Sequence, residues 1–276
     1  MSASAYYELR ECLLKVENVS LTLGGKLILR DVNVEVKNIV RPGMQQGQVV
    51  ALLGPSGIGK TRLFRILAGL DEPDSGQVLV GDPPKYVVKG EVGVVAQNYP
   101  LFRHRTVASN LVVAGKQAGL DSSAAKEKAD KILSEFNLEE HARKYPVQLS
   151  GGQRQRVSIA QQFMCSEHFL LMDEPFSGLD LNAIERVITM INEMAAADEM
   201  KTFIIVTHDI TAALEVADTV WILGRDRDEN DKIIPGARIQ KNYNLIDLGL
   251  AWRHGVTEDP AFIDLMKEIR AIYPKL

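Results

Sequence analysis

Cysteine is scarce: the 276 residues contain two, Cys12 and Cys165. Their wide separation suits neither a disulfide scaffold nor a zinc site, so both read as packing residues in a reducing compartment or in a redox-indifferent fold. Long apolar runs are absent. None reaches the roughly 18 to 20 residues that cross a bilayer, and the opening MSASAYYELREC has neither the basic start nor the apolar core of a secretory signal. The chain is therefore expected to stay in the cytosol. Excess charge of one sign is absent too: 32 basic against 36 acidic residues leave a formal charge of -4, which gives no electrostatic reason to expect nucleic acid. Repeats and low-complexity tracts are lacking. What is present, 46% hydrophobic and 25% charged residues, is the composition of a chain that buries a core, and it excludes disorder.

Residues 12–36 largely alternate apolar and polar positions, with Leu14, Val16 and Val19 before Gly24-Gly25 and Ile28, Val32, Val34 and Val36 after it. This pattern predicts two half-buried antiparallel strands joined by a turn. Val49-Val50-Ala51-Leu52-Leu53 is continuous and apolar, as for a strand buried on both faces. A glycine-rich turn ends it. The next helix carries the stripe Leu63, Phe64, Ile66 and Leu67, and Gly69, Pro73 and Gly76 punctuate its end. The runs Val92 to Val95, Phe169 to Met172, Phe203 to Val206 and Val220 to Leu223 read as further buried strands. Strands alternating with helices predict an α/β fold. Between about 98 and 148 the pattern turns helical, with Ala125, Ala129, Ile132, Leu133 and Phe136 on one face of residues 122–137. Beyond Leu223 come the charged stretch Arg225 to Lys232 and a short extended segment from Arg238 to Leu248. A last helix has Asp259 as N-cap, Pro260 at its first position and an apolar stripe from Phe262 to Ile272.

Gly54-Pro55-Ser56-Gly57-Ile58-Gly59-Lys60-Thr61 matches G-x-x-x-x-G-K-[ST] between a predicted strand and a predicted helix, the setting that motif requires. Four fixed positions arise by chance in roughly 1% of chains this long, so the setting matters as much as the letters. Glycines let backbone N–H groups converge on phosphate oxygens, the helix N-terminus adds positive potential, Lys60 neutralises β and γ phosphates, and Thr61 is expected on Mg²⁺. Asp173-Glu174 follow Phe169-Leu170-Leu171-Met172 at the C-terminal end of a predicted strand, where open α/β sheets bind ligands. They read as a Walker B pair: Asp173 for the Mg²⁺ shell, Glu174 to orient or deprotonate the attacking water.

Leu149-Ser150-Gly151-Gly152-Gln153-Arg154-Gln155-Arg156 opens a helix with Val157, Ile159, Ala160, Phe163 and Met164 as its apolar face. Here the chain resembles the ATP-binding cassette family. Gln97 in Val95-Ala96-Gln97, Asp173-Glu174, Ser177-Gly178-Leu179-Asp180 and His208 in Val206-Thr207-His208-Asp209 support the resemblance in order, over roughly residues 12–224. It implies a P-loop NTPase core with a parallel sheet, an N-terminal antiparallel β subdomain, and a helical signature subdomain inserted at about 98–165. Residues 225–276 form a short C-terminal extension with a terminal helix.

The resemblance further implies ATP and Mg²⁺ as cofactors and a homodimer or cassette pair facing head to tail. Each ATP is then held between residues Gly54 to Arg62 of one subunit (Gly54, Pro55, Ser56, Gly57, Ile58, Gly59, Lys60, Thr61, Arg62) and Ser150, Gly151, Gly152 and Gln153 of the other. Gln97 touches Mg²⁺ and the attacking water, His208 contacts the γ-phosphate and supports Glu174, and Asp180 helps join the subunits. Three positions depart from the family pattern: Leu23 stands where an adenine-stacking aromatic is common, Arg62 where a second hydroxyl is usual, and Gly178 where alanine is commoner. The implied partner is a separate membrane permease docking beside the Gln97 loop along Asn98 to Asn110, with a solute-binding protein and no nucleic acid. The ATPase then sits peripherally on the cytoplasmic face of the cell membrane. LLMDEPFSGLD and the tail from Ile246-Asp247-Leu248 to Tyr273 resemble bacterial importers of the nitrate, sulfonate and taurine type. A soluble single-cassette ATPase, for example in iron–sulfur assembly, is the alternative, since only about fifty residues between Gln97 and Ser150 leave no room for a DNA-maintenance coiled coil. A nucleotide-binding module without turnover is opposed by Glu174.

Overall fold

The alternation over residues 12–36 becomes a hairpin longer than the pattern predicts: β1 (Glu8–Leu23) pairs antiparallel with β2 (Lys26–Val40). Gly24 and Gly25 turn it with φ of 55° and 75°, the two positive values that a tight hairpin matching the strand twist demands. The computed structural model describes residues 7–41, 47–95, 100–165, 169–196, 201–253 and 255–276. After the hairpin come β3 (Gln48–Leu53), α1 (Lys60–Leu67), β4 (Ser75–Val80), β5 (Lys85–Tyr86) and β6 (Gly93–Val95). The helices α2 (Val107–Gln117), α3 (Ser122–Glu135) and α4 (Gly151–Phe163) form the insert. The chain continues through β7 (Phe169–Asp173), α5 (Leu181–Ala196), β8 (Thr202–Thr207), α6 (Ile210–Val216), β9 (Thr219–Arg227), β10 (Ile233–Asn244) and α7 (Pro260–Ile272).

Among the described residues, ten strands join one sheet in the order β5-β4-β1-β2-β10-β9-β3-β8-β7-β6. The pairs β9·β3, β3·β8, β8·β7 and β7·β6 are parallel, and β1·β2, β1·β4, β4·β5 and β9·β10 are antiparallel. The two kinds of sheet meet at a single parallel pairing, Ala237 with Leu29. The α/β class with a parallel core and an N-terminal antiparallel portion is thus the observed one. Position 225 lies inside β9: the charged stretch after Leu223 is the end of that strand and the turn into β10.

The continuous run of β3 has a simple cause. Val49, Ala51 and Leu53 face one hydrophobic cluster, which takes in α2 to α7, while Val50 and Leu52 face another, which takes in α1 and the hairpin. Both faces of the strand are therefore dry, and no polar alternation survives. Each fully buried Val or Leu side chain contributes ~1.5–3 kcal/mol. The helix starts follow capping rules: Thr106 accepts from Ser109 N–H, Asp121 from Ser123 and Ala124 N–H, and Asp259 from Ala261 N–H, with Pro260 next. Cys12 and Cys165 are free and half-buried.

Asp218, 1% exposed, fastens the start of β3 to the rest of the sheet. Its Oδ2 accepts from Val49 N–H at 2.7 Å, its own N–H donates to Val49 O at 2.8 Å, and its carbonyl accepts from Leu245 N–H at 2.8 Å. Arg41 stands 3.6 Å from Oδ1 with its guanidinium over the Trp252 ring, 3.0 Å from the centroid. Burial pushes the Asp218 carboxyl up to about 7, against the pull of Arg41 and the Val49 amide.

Folding therefore raises this pKa above its ordinary 3.8, so the folded state holds a proton that the unfolded chain releases. The residue's contribution to stability falls as pH rises from about 4 to about 7. The melting temperature of the wild type minus that of Asp218→Asn is expected to decrease across this window. A difference independent of pH would show that Asp218 stays charged.

Candidate functional site

Parallel register sets the site. Leu53 pairs with Thr207, and Asp173 with Val206, so β3, β7 and β8 end together and deliver Gly54, Glu174 and His208 to one edge of the sheet. Glu174 leaves its strand with φ 50° and donates its N–H to Val206 O at 2.8 Å, which ties the turn to β8.

The loop from Gly54 to Thr61 needs its glycines. A Cβ on Gly54 would stand 2.6 Å from the backbone oxygen of Leu223, and Gly59 combines φ 118° with a Cβ position 3.1 Å from Ile28 and Leu29, so the loop lies against β9 and β2. Gly59 is the N-cap of α1 and makes no side-chain cap; Arg62 N–H turns back to Gly59 O at 3.0 Å, while the Lys60 and Thr61 N–H groups have no partner among the described residues and are open to a ligand. Ile58 is buried; Ser56, Thr61 and Arg62 are exposed. Lys60 is 7% exposed, and its Nζ donates to Gly54 O at 2.7 Å and Pro55 O at 3.2 Å. Burial pulls this ammonium below its ordinary value, while the charges of Glu174 and Asp173 hold it up. The Arg62 guanidinium lies 3.5 Å from Asp71, which also binds Arg65.

Asp173 is half-buried; burial and the neighbouring Glu174 push its carboxyl up, and Lys60 pulls it down. His208 Nδ1 lies 2.9 Å from Glu174 Oε2, and Thr207 Oγ1 donates to the same oxygen at 3.3 Å. Lys60, Asp173, Glu174 and His208, all named from sequence, are thus brought together. Gln97 lies outside the described residues. A sparse oxygen set, the Thr61 hydroxyl and the Asp173 carboxylate, suits Mg²⁺, which keeps waters and takes phosphate oxygens rather than an all-protein cage. Among the described residues no group of three or more His, Cys, Asp or Glu forms such a cage.

Ser150 caps α4, with its Oγ accepting from Gln153 N–H at 3.2 Å and its N–H donating to Gln153 Oε1 at 2.9 Å. Gly151 and Gly152 are exposed, with open space where a Cβ would be. Among the described residues no hydrogen bond or ion pair joins positions 150–153 to the loop at 54–62. The single chain therefore presents two separate glycine-containing helix starts, at Gly59 and at Ser150. Asp180 Oδ1 caps the next helix by accepting from Ala183 N–H at 2.8 Å, and Gly178 has φ 73°, a backbone that alanine would strain. Leu23 is 39% exposed at the hairpin end.

Three contributors were not assigned from sequence. Thr207 lies within a quoted motif, and its place beside Glu174 follows from β8 ending in register with β7. Gln155 Nε2 donates to Pro175 O at 3.3 Å, linking the α4 turn to the segment after Glu174. The Tyr273 hydroxyl is buried beside the Gly54 backbone; burial pushes its pKa up to about 12, the Gly54 backbone pulls it down, and Glu174 and Asp209 push it further up. No local signal links that tail to the loop.

Of the segment 98–110, Asn98 and Tyr99 lie outside the described residues. Of the rest, Pro100, Leu101 and Arg103 line a groove of about 840 Å³ together with Pro146, Val147 and Arg154, and Gly151 and Gly152 of the α4 turn line it too. Buried Asn110 pins this loop, accepting from Phe102 N–H at 2.8 Å and donating to Phe102 O at 3.2 Å, while the Phe102 ring stays 39% exposed. No helix among the described residues is long and apolar enough to cross a membrane.

A family model described as ABC transporter matches residues 38–177. A probable sulfate/thiosulfate import ATP-binding protein CysA of Chlorella vulgaris is 38% identical over 222 residues, covering 79% of this chain and 88% of that protein. The sulfate/thiosulfate import ATP-binding protein CysA of a Synechocystis strain is 38% identical over 218 residues, covering 78% of this chain and 59% of that protein. This chain thus spans less than two thirds of the length of the Synechocystis relative. The structure of CbiO1 from Clostridium perfringens, part of the ABC transporter complex CbiONQ, superposes with a TM-score of 0.72 at 24% identity over 96% of this chain and 97% of that one. At that identity it shares the fold.

The Gly54 contact makes a direct test. Gly54→Ala is expected to cost about 1–3 kcal/mol, the usual price of overpacking, as read from the urea midpoint, because the obstructing atom is β9 backbone. An unchanged midpoint would mean that β9 can move away from the loop.

Proposed function

This chain belongs to the ABC transporter family, and we propose that it is the ATP-binding and ATP-hydrolysing subunit of an importer. The observation that carries this reading is the convergence of Lys60, Asp173, Glu174 and His208 on one sheet edge, beside a helix start whose Lys60 and Thr61 N–H groups have no partner among the described residues. Phosphoryl transfer needs positioning and charge neutralisation, and these groups supply both. Lys60 moves from the Gly54 and Pro55 carbonyls to the β and γ phosphates. Glu174, held by Thr207 and His208, accepts a proton from the attacking water, and His208 also reaches the γ-phosphate. Thr61, Asp173 and Gln97 would hold Mg²⁺. When bound, the metal neutralises phosphate charge.

The turn Ser150–Gln153 makes no contact with the loop of its own chain, and it is an anion-binding helix start in its own right. We therefore assign it to the γ-phosphate of a second subunit, with two copies head to tail and Asp180 near the junction. The groove at Leu101, Arg103 and Val147 is the docking place for a separate membrane permease, which holds the subunit peripherally on the cytoplasmic face; a solute-binding protein completes the importer. The cargo is chosen by those partners. The relatives named for sulfate and thiosulfate import support an inorganic sulfur oxyanion as cargo over the nitrate, sulfonate and taurine type.

Two variants test the assignments. Glu174→Gln is expected to lower turnover about 10²–10⁴-fold, the worth of a general base, and to accumulate ATP-bound dimers on size exclusion. Lys60→Ala is expected to weaken ATP binding by about 1.5–3 kcal/mol, the worth of a charged hydrogen bond, in equilibrium titration. Undiminished hydrolysis in both variants would refute the site. Purification as a stable soluble complex with scaffold proteins and no permease would refute transport.

A further inference from the structure

The cap of α4 contains an amide whose orientation is forced. Gln153 Oε1 accepts from Ser150 N–H at 2.9 Å, and the NH₂ end of that side chain could not accept there. The NH₂ therefore points away from the cap, and it lies 2.9 Å from His141 Nε2. Two donors cannot face each other at that distance, so Nε2 carries no proton and the imidazole is neutral with its hydrogen on Nδ1. Nδ1 is buried and has no hydrogen-bond partner. An orphaned buried donor is a cost, and an apolar side chain of similar size would avoid it. What the imidazole adds in exchange is one acceptor aimed at Gln153. The segment bearing both groups is anchored by Leu138, 1% exposed, and Leu149, 5% exposed, so the acceptor is held in place.

We propose that His141 is a positioning residue for the ATPase reaction: it fixes the Gln153 side chain, which fixes the Ser150 backbone, and so presets the turn that meets the γ-phosphate. Without the acceptor the Gln153 side chain is free to leave the cap. Ser150 N–H then loses its partner, and the Ser150 hydroxyl and the Gly151 and Gly152 amides lose a common frame just where an anion must be met by several donors at once. This role rests on the reading of residues 150–153 as a nucleotide contact.

His141→Leu fills the space and removes the acceptor, whereas His141→Gln offers an amide oxygen in its place. In nucleotide-free protein, amide hydrogen exchange at Ser150 is expected to speed up about fivefold in His141→Leu, the effect of losing one neutral hydrogen bond, and to return to within about twofold of wild type in His141→Gln. Turnover at saturating ATP is expected to fall about fivefold in His141→Leu with KM changed less than about twofold, and to recover in His141→Gln. Equal exchange in wild type and His141→Leu, no recovery in His141→Gln, or faster exchange with unchanged turnover would each overturn the proposal. The underlying reading has its own control. Gly151→Asp puts negative charge where a γ-phosphate would sit, in open space and with the His141–Gln153 pair intact; retained turnover there defeats the reading, whatever the His141 variants do.

Discussion

Parallel pairing in strict register is the constraint on which the site depends. Leu53 opposite Thr207 and Asp173 opposite Val206 make three strands stop at one level, so that whatever follows each strand is gathered without a long loop to search for it. Glycines follow one strand, a carboxylate another and a histidine the third. The register is itself enforced by burial, since the alternate side chains of β3 enter two different apolar clusters, and a one-residue slip would exchange them.

On this scaffold the charged groups are held at some electrostatic cost. Lys60 is nearly out of water and rests on loop carbonyls, with Asp173 and Glu174 close enough to support its charge. Asp173 is itself pushed toward protonation by burial and by Glu174. A site holding one cation, two neighbouring carboxylates and unengaged backbone N–H groups is incomplete in charge. A polyphosphate with its divalent cation completes it by engaging the N–H groups and Lys60 while neutralising the carboxylates. The second helix start, at Ser150, carries no charged side chain at positions 150–153. Its geometry comes from the capping pair with Gln153, which makes the orientation of that one side chain disproportionately important.

Much of this was legible in sequence because it concerns residues adjacent along the chain. The Gly54–Thr61 loop, the Gly24-Gly25 turn, the Asp259-Pro260 helix start and the helix opened by Ser150-Gly151-Gly152-Gln153 are all local, and each has a composition that little else explains. What stayed hidden depends on contacts between distant segments. Tyr273 beside Gly54, Gln155 on Pro175, and Arg41 stacked on Trp252 beside Asp218 leave no periodicity to read. The placement of β10 was hidden for another reason: its approach is a charged stretch that looks like a linker, yet Ala237 joins the hairpin to the parallel core. The reach of the hairpin was underestimated because β1 and β2 pair beyond the region of clean alternation, with register shifts along β1.

The central claim is that one chain carries two incomplete nucleotide surfaces that complete each other only across a pair. The most direct measurement is a structure of the Glu174→Gln variant with ATP and Mg²⁺. The account predicts a head-to-tail dimer in which the Ser150 hydroxyl and the Gly151 and Gly152 amides of one copy contact the γ-phosphate bound to Lys60 of the other. A closed, nucleotide-loaded form in which that turn faces solvent, or meets the phosphate of its own chain, would contradict it.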